Sequence, residues 1–472
     1  MVFGFFPFKN INIQVNKCLI VSVVIFLLTD FWPALAIKNF GSSINSGYLN
    51  NEFNRNFLNR AGREGNFFLH GDYIYSNNIR TVLLFRKGWE MAPAQIRFNS
   101  DEKLFLRFDD LDADFKNYNY TIIHCDAYWK PSPLQEFEYI DGFYEDQIRD
   151  YAHSVNTVVP YTQYSLEFPT ANLRPRLSGN YILKVYLNGN PDNVVFTRRF
   201  MIYEQQVVIE GNVMQANLVM FRETHQQLGF SINTLNYSIS NPHRDLKLVI
   251  TQNGRWDNAI VGIQPRIIQG SRFIFDYERE LLFEGGNEFR RFDTRSLRYV
   301  TERVADISST HRHWEVFLIP DEVRASRRYT SDSDINGRFS IKTNDARDDM
   351  LETDYAWVHF SLAMPEPVNN ASVHLLGALT DWAMTPENEL TYNQRLRKYE
   401  INLLLKQGLY NYLFAIKNKG NTQARLADIE GSHSETENEY TIFVYHRRPG
   451  DIYDRLVGLR HLNSSAREIS PR

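Results

Sequence analysis

Short segments in which apolar and polar residues alternate recur along most of this chain. In residues 103–108 and 399–403 the apolar side chains fall at every second position, which is the period of a strand with one buried face. Residues that favour turns separate such segments, as in 188–192 between two apolar runs. Because no long stretch shows the helical period of 3.6, we predict a mainly β protein with little helix. The expected architecture is a series of tandem β-sandwich domains, immunoglobulin-like or early-set-like.

The spacing of these segments predicts three domains and two flanking polar stretches. Aromatic residues make up 14% of the chain and support strands, because Tyr and Phe favour half-buried pleated surfaces. An acidic stretch over 343–352 is the predicted linker before the last domain. The predicted parts are a polar leader (37–70), an N-terminal β-sandwich (71–204), a second β domain (205–345), a C-terminal early-set-like sandwich (353–446) and a polar tail (447–472).

The N-terminus predicts export from the cytoplasm. Two lysines, Lys9 and Lys17, precede an apolar core over 18–28, and Ala34 and Ala36 provide the small-x-small pattern of a cleavage site. We therefore predict that the first 36 residues are a cleavable signal peptide. The apolar core has 11 residues, well below the roughly 20 that a membrane-spanning helix needs, which argues against the alternative of an uncleaved anchor.

Charge and cysteine content narrow the class of protein further. Cys18 lies inside the apolar core and not directly after a cleavage site, so a lipoprotein is not expected. Loss of the signal peptide would change the net charge from −4 to −5, and we expect no nucleic-acid partner because phosphate binding needs clustered Lys and Arg. No later apolar stretch approaches membrane-spanning length, so no direct membrane span is expected. Cys125 would be the sole cysteine left, which excludes a disulfide framework within the chain.

The sequence offers little support for a metal, a cofactor or catalysis. The acidic turn over 109–114 has alternating carboxylates from Asp110 onward, but lacks the Gly and Glu of an EF-hand loop, so calcium binding is the minor alternative to a solvated turn. His311 and His313 have no further ligands nearby in sequence. Nucleophile-elbow, phosphate-loop and dinucleotide motifs are absent. We predict no enzyme, metal or cofactor, while a hydrolase that pairs carboxylates from different domains stays an alternative.

Two Arg and Trp pairs are candidate partner-binding residues. Arg255, Trp256 and Asp257 follow an Asn-Gly turn at an expected hairpin tip, and Arg86 and Trp89 stand in a similar turn. Trp and Arg are the side chains that most often anchor protein interfaces. The alternative for each pair is a Trp folded back over its own sheet with the Arg stacked on it.

Trp382 raises a separate hypothesis about the last domain. It stands in the loop 377–382 after an expected strand, and an alternating segment over 407–414 follows. This arrangement resembles the early-set sandwich module of glycogen-binding and starch-enzyme accessory domains, in which aromatic rings stack on sugars. The stretch 417–421 departs from that module because it has no second Trp. Trp382 is therefore either part of a vestigial glycan surface or a core residue of the module.

A whole-chain resemblance rests on several segments taken together and in order. They are residues 78–82, 108–112, 123–126, 252–259, 285–290, 377–382 and 430–438. With these segments the chain resembles the plug protein family of the type IX secretion system, from about Tyr73 to Gly458. The resemblance implies a periplasmic protein that is held at the outer membrane by a protein partner and is monomeric within that complex.

The implied function is steric. By resemblance, the protein binds the outer-membrane translocon β-barrel and blocks its periplasmic opening when no cargo shuttle is bound, which needs neither catalysis nor a cofactor. The alternatives come from other classes. One is an envelope glycan-binding protein that uses the Trp382 surface. Another is secreted cargo of the same system, although 447–472 shows no obvious sorting domain.

Overall fold

The computed structural model describes residues 71–420 and 423–465, so the predicted signal peptide and leader lie outside the described residues. Strands make up 48% and helices 5% of the structure, which confirms the mainly β prediction. The helices are α1 (Glu136–Tyr139), α2 (Pro242–Asp245) and α3 (Ala427–Glu430), with 3-10 turns at Val219–Phe221, Ala378–Thr380 and Pro386–Asn388. The longest helix described has four residues, and none could cross a membrane.

The first sandwich contains strands from residues 73 to 203. These strands are β1 (Tyr73–Ile74), β2 (Ile79–Arg86), β3 (Gln95–Arg97), β4 (Leu104–Asp110), β5 (Tyr118–Cys125), β6 (Ile140–Gly142), β7 (Asp146–Ile148), β8 (Asp150–His153), β9 (Thr162–Phe168), β10 (Leu173–Pro175), β11 (Gly179–Leu187) and β12 (Val194–Tyr203). One sheet has the order β1-β12-β11-β5-β7 with β3 parallel to β12, and the other has the order β2-β4-β9-β8. Strands β6 and β10 form a small ribbon.

Strand β4 shows why the alternating pattern predicts this sandwich. Leu104, Leu106 and Phe108 fall on one face of the pleat and are completely buried. The Phe108 ring meets Tyr118 at 5.1 Å and Phe196 at 4.9 Å between centroids, so the two sheets close over an aromatic core.

The second sandwich is discontinuous in sequence. The strands of this sandwich are β13 (Val208–Gln215), β14 (His225–Asn233), β15 (Leu246–Gln252), β16 (Arg255–Val261), β17 (Ile267–Gln269), β18 (Arg272–Asp276), β19 (Leu282–Glu284), β30 (Glu439–His446) and β31 (Arg455–Asn463). One sheet has the order β13-β14-β18-β17 with β19 beside β14, and the other has the order β16-β15-β30-β31. The two sheets share one apolar core.

The third sandwich is built between the two halves of the second. Its strands are β20 (Arg290–Asp293), β21 (Val304–Ser309), β22 (Trp314–Leu318), β23 (Asp321–Glu322), β24 (Phe339–Ile341), β25 (Tyr355–Ala363), β26 (Ala371–Leu376), β27 (Thr391–Asn393), β28 (Lys398–Lys406) and β29 (Gly408–Asn418). One sheet has the order β20-β29-β24 with β26 beside β29, and the other has the order β21-β22-β25-β28-β27 with β23 beside β25.

These pairings differ from the division drawn from sequence. Strands β20 to β24, expected in the second domain, pair with the third sandwich, and β30 completes the second sandwich. The expectation of a polar tail is wrong for Arg455–Asn463, which form β31 and bury Leu456 and Val457. The physical reason is that the apolar faces of β15 and β13 need covering, and a distant segment of the chain covers them.

Candidate functional site

The first predicted partner-binding group lies inside the protein. Asn253 and Gly254 have φ values of 52° and 73°, as a two-residue hairpin turn requires, so the predicted turn is present. Arg255 is only 5% exposed, and its guanidinium pairs with the Asp257 carboxylate at 2.6 Å and 3.0 Å. Because this pair is satisfied within its own strand and largely buried, it stabilises the hairpin and offers little surface to a partner.

Trp256 joins two sandwiches. Its ring meets Trp129 of the first sandwich edge-on at 5.2 Å and stacks on Phe443 at 5.6 Å. The Arg199 guanidinium lies 4.6 Å from the Trp129 ring and 5.4 Å from the Trp256 ring. These rings belong to an apolar cluster shared by the sheets of β11 and β15. Trp256 therefore makes internal contacts, and the guanidinium beside its ring is that of Arg199 and not that of Arg255, which the alternative from the sequence had placed there.

Arg86 and Trp89 lie on the surface. The Trp89 side chain is 66% exposed, and the Arg86 guanidinium lies 4.8 Å from its ring centroid. Arg86 also pairs with Glu102 at 3.5 Å. The structure thus separates the two candidate groups, since only this one presents an aromatic ring and a cation to the outside.

Trp382 packs within the third sandwich, and its loop also contacts the first sandwich. A Cβ atom at Gly337 would approach its six-membered ring to 2.3 Å, and Phe289 meets the indole edge-on at 5.8 Å. The preceding residue, Asp381, pairs with Arg198 of the first sandwich at 3.2 Å. The loop predicted as a vestigial glycan surface therefore makes contacts within the protein, and the Trp382 ring is partly covered.

One interdomain joint is a buried ion pair that sequence reasoning missed. Asp109 of β4 and Lys406 of β28 are each 1% exposed, and the Lys406 ammonium donates to the Asp109 carboxylate at 2.6 Å. Tyr355 donates to the same carboxylate at 2.6 Å, and the Tyr161 ring lies 3.9 Å from the ammonium. Burial lowers the pKa of Lys406, and Asp109 opposes that shift. The pair ties the first sandwich to the third.

Three of the segments that carry the family resemblance, 252–259, 285–290 and 430–438, meet at a second joint. Asn438 accepts a hydrogen bond from the Asn253 side chain at 2.7 Å and donates to the Gly285 carbonyl at 2.8 Å. A Cβ at Gly285 would come within 1.9 Å of the His433 carbonyl oxygen, so only glycine fits there. Asn287 donates to the Glu430 carbonyl at 2.7 Å. These segments therefore lock the second and third sandwiches together, around a cleft of about 170 Å³.

A larger cavity of about 460 Å³ opens on the third sandwich. Ser372 and His374 line it, with the Ser372 hydroxyl 2.8 Å from Nε2 of His374. Nδ1 of His374 lies 3.2 Å from Oδ1 of Asn388, whose amide donates to the backbone carbonyls of Leu375 and Ala383. Since Asn388 also closes the 3-10 turn after Thr385, this chain of hydrogen bonds fixes the turn.

The acidic turn contains its own cation. Asp110, Asp112 and Asp114 have carboxylate oxygens within 4.8 Å of one another. The Lys116 ammonium lies between them, 2.8 Å from Asp110 and 3.4 Å from Asp114, and also bonds to Asp112. An internal ammonium therefore takes the position that a calcium ion would need.

Large apolar side chains are exposed at several separate tips and edges. Scattered exposure of single residues is ordinary, but neighbouring pairs indicate contact surfaces. The most exposed neighbouring or touching pairs are Val219 with Met220 (78% and 76%), Phe143 with Tyr144 (67% and 47%), Tyr299 with Val300 (56% and 57%), Phe115 with Tyr151 (52% and 46%) and Ile267 with Ile268 (45% and 43%). The sequence signal for the first pair is four successive apolar residues, 218–221, between two alternating strands.

Comparisons with known proteins agree with this architecture. A family model described as the first domain of the type 9 secretion system plug protein matches residues 79–204. A crystal structure of a hypothetical protein from Parabacteroides merdae ATCC 43184 shares 35% sequence identity with the chain and superimposes with a TM-score of 0.81. That match covers 83% of this chain and 99% of the other. No curated protein matches the chain.

Family membership indicates a secretion-related plug role in the envelope. The matched family domain coincides with the first sandwich, and the structural match extends over all but a small part of that relative. The chain therefore belongs to the plug protein family of the type IX (type 9) secretion system.

Proposed function

We propose that this protein is a periplasmic plug that binds the outer-membrane translocon β-barrel of the type IX secretion system and blocks its periplasmic opening when no cargo shuttle is bound. The observation that carries the proposal is the match of residues 79–204 to the plug family. A plug acts by occupying space, so it must resist deformation when it sits against an opening.

The joints between the sandwiches support this mechanical role. The first and third sandwiches are held by Asp109 and Lys406, and the first and second by the cluster around Trp256. Within the third sandwich, the buried Glu430 carboxylate bonds to both Arg290 and Arg324. Buried pairs and aromatic clusters of this kind fix the relative positions of neighbouring sheets, because breaking any of them leaves uncompensated charge or a void.

The proposed function is tested in a strain that lacks the gene and carries either the wild-type chain or an empty vector. We expect the tagged wild-type chain to co-purify with the translocon barrel from detergent-solubilised envelopes. We also expect the empty-vector strain to admit large solutes that the outer membrane normally excludes. Absence of the barrel from the purified complex, together with unchanged permeability, would contradict the proposal.

Within that function, Arg86 and Trp89 are proposed partner contacts. Trp89→Ala should reduce recovery of the barrel, because the change removes a ring that is 66% exposed. Phe137→Ala is the matched control, since this ring is 60% exposed in the first sandwich and belongs to none of the exposed pairs named above. Equal recovery with the two variants would remove Trp89 from the interface and leave the plug function in place.

A further inference from the structure

The hairpin between β13 and β14 carries an unusual tip. Four successive apolar residues, Leu218 to Phe221, lie in the connection 216–224 between the two strands, where polar and turn-forming residues are usual. Val219 is 78% exposed and Met220 is 76% exposed, the two highest values among the exposed large apolar side chains of the described residues. A run of exposed apolar residues on a folded surface indicates a binding function.

The tip is held in place by polar contacts at its base. The Asn217 backbone N–H donates to the side chain of the fully buried Gln227 at 2.9 Å. The Thr224 carbonyl accepts from the Gly285 N–H at 2.9 Å and from the Ser432 hydroxyl at 2.6 Å. The 3-10 turn Val219–Phe221 is therefore presented on a fixed base, which reduces the backbone entropy that is lost on binding.

We propose that Val219 and Met220 are an anchor that inserts into an apolar pocket on the periplasmic face of the protein partner. This inference rests on the proposed function, because the partner in question is the translocon barrel. An aliphatic side chain on a rigid support can anchor an interface by filling a desolvated pocket, and Met is enriched at protein interfaces.

The residues around the tip favour a protein pocket over a lipid surface. The nearest exposed charges, Arg222 and Glu223, cancel each other. Segments that bind membrane surfaces combine apolar side chains with an excess of Lys and Arg, and residues 216–224 contain one Arg, one Glu and no Lys. A neutral apolar tip matches a neutral apolar pocket, whose rim need not be charged.

The test compares two double variants of the full chain. Val219→Asp with Met220→Asp places two charges on the tip, and Leu235→Asp with Leu396→Asp places two charges on separate loops where leucines are 58% and 48% exposed. All four positions are exposed, so both variants should keep the wild-type melting temperature and circular dichroism. The affinity of each variant for the detergent-solubilised translocon barrel is then measured by surface plasmon resonance, with the barrel immobilised.

We expect the tip variant to bind at least about 30-fold more weakly than wild type, and the control variant to stay within about threefold. If wild type binds the barrel and the tip variant binds equally well, the anchor is overturned while the plug function stands. If wild type itself does not bind, the plug function fails, and the anchor fails with it.

Two further measurements exclude other occupants of the tip. Wild type is mixed with vesicles of phosphatidylethanolamine and phosphatidylglycerol, and its self-association is measured by sedimentation. Binding to vesicles that the tip variant loses would assign the tip to lipid, and a dimer that the tip variant loses would assign it to a second copy of the chain. Either result would overturn the proposal that the tip inserts into a pocket of the protein partner.

Discussion

Asp109 and Asp110 are neighbours in β4, yet they serve two different regions of the molecule. Because successive side chains of a strand point to opposite faces, Asp109 meets Lys406 at the joint with the third sandwich, and Asp110 faces the turn that contains Lys116. Both carboxylates are almost completely buried. The same chemical group thus holds two distant parts of the chain together in one case and closes a local turn in the other.

The two regions differ in how their charges are satisfied. The Asp109 carboxylate accepts from Tyr355 and Gln163 as well as from Lys406, and both members of the ion pair are only 1% exposed. Asp110 also has several donors, among them the Lys116 ammonium at 2.8 Å, the Tyr118 hydroxyl at 2.9 Å and the Asp112 N–H at 3.0 Å, but Lys116 is 21% exposed, so water reaches this pair. Loss of one partner should therefore cost much more at the joint than at the turn.

Lys406→Met should give the largest effect. It leaves the Asp109 carboxylate buried without a cation, and removal of one partner of a buried pair costs about 3–5 kcal/mol. Lys398→Met, at the other end of the same strand, is the control, because Lys398 pairs with the partly exposed Glu400 and should cost less than about 1 kcal/mol. Urea unfolding of both variants measures the difference, and equal midpoints would contradict the comparison.

The double variant Asp109→Asn with Lys406→Met sharpens the same prediction. An uncharged amide oxygen at position 109 can still accept from Tyr355, and no unpaired charge remains inside the protein. The double variant should therefore unfold at higher urea than Lys406→Met alone, which shows that the cost comes from the stranded carboxylate. A double variant as unstable as the sum of both single variants would show that the two residues act independently.

Asp110→Asn should have an intermediate effect. Burial opposes ionisation of Asp110, but hydrogen bonds from Lys116, the Asp112 N–H, Asn78 and Tyr118 outweigh it and lower the pKa of this carboxyl. Replacing the charged acceptor should cost about 2 kcal/mol at neutral pH. The control is Asp112→Asn, whose side chain is 55% exposed and should cost less than about 1 kcal/mol.

The pH dependence of Asp110→Asn follows from the direction of that shift. A carboxyl with a lowered pKa in the folded state stabilises the protein above its unfolded-state pKa of about 4, and this contribution is lost as the pH falls through the lower folded-state pKa. Wild type and variant should therefore differ most at pH 7 and converge in stability toward about pH 2. A difference that stays constant over this range would contradict the assignment.

The sequence predicts the strand that carries both aspartates but not the joint. The alternation of residues 103–108 places Leu104, Leu106 and Phe108 in the core, as the structure confirms. No local pattern indicates that Asp109 meets Lys406, because almost three hundred residues separate them and contacts of that kind depend on how the sandwiches pack. The turn at Asp110 is local, and the sequence identifies it as an acidic turn, although it does not identify Lys116 as the cation.

The candidate contact residues show the same limit. An Asn-Gly pair predicts the turn before Arg255, and the φ angles of Asn253 and Gly254 confirm it. The exposure of the following side chains depends on Trp129 and Phe443, which come from other parts of the chain. Likewise, β15 is a clear strand in sequence, but its neighbour β30 lies beyond the entire third sandwich. Local order is therefore predictable where non-local pairing is not.

Apart from the controls Lys398→Met and Asp112→Asn, Lys116→Met should have the smallest effect on stability. The Asp110 carboxylate keeps its bonds to Tyr118 and the Asp112 N–H, and the other aspartates of the turn are more than half exposed, so we expect a loss of about 1 kcal/mol. High salt should reduce this loss, because exposed charges are screened. Millimolar calcium should leave the melting temperature of wild type unchanged, since the ammonium already lies among the three carboxylates. A rise in the wild-type melting temperature with calcium would show that the ion displaces Lys116, and the turn would then be a cation site instead of a turn bridged by its own lysine.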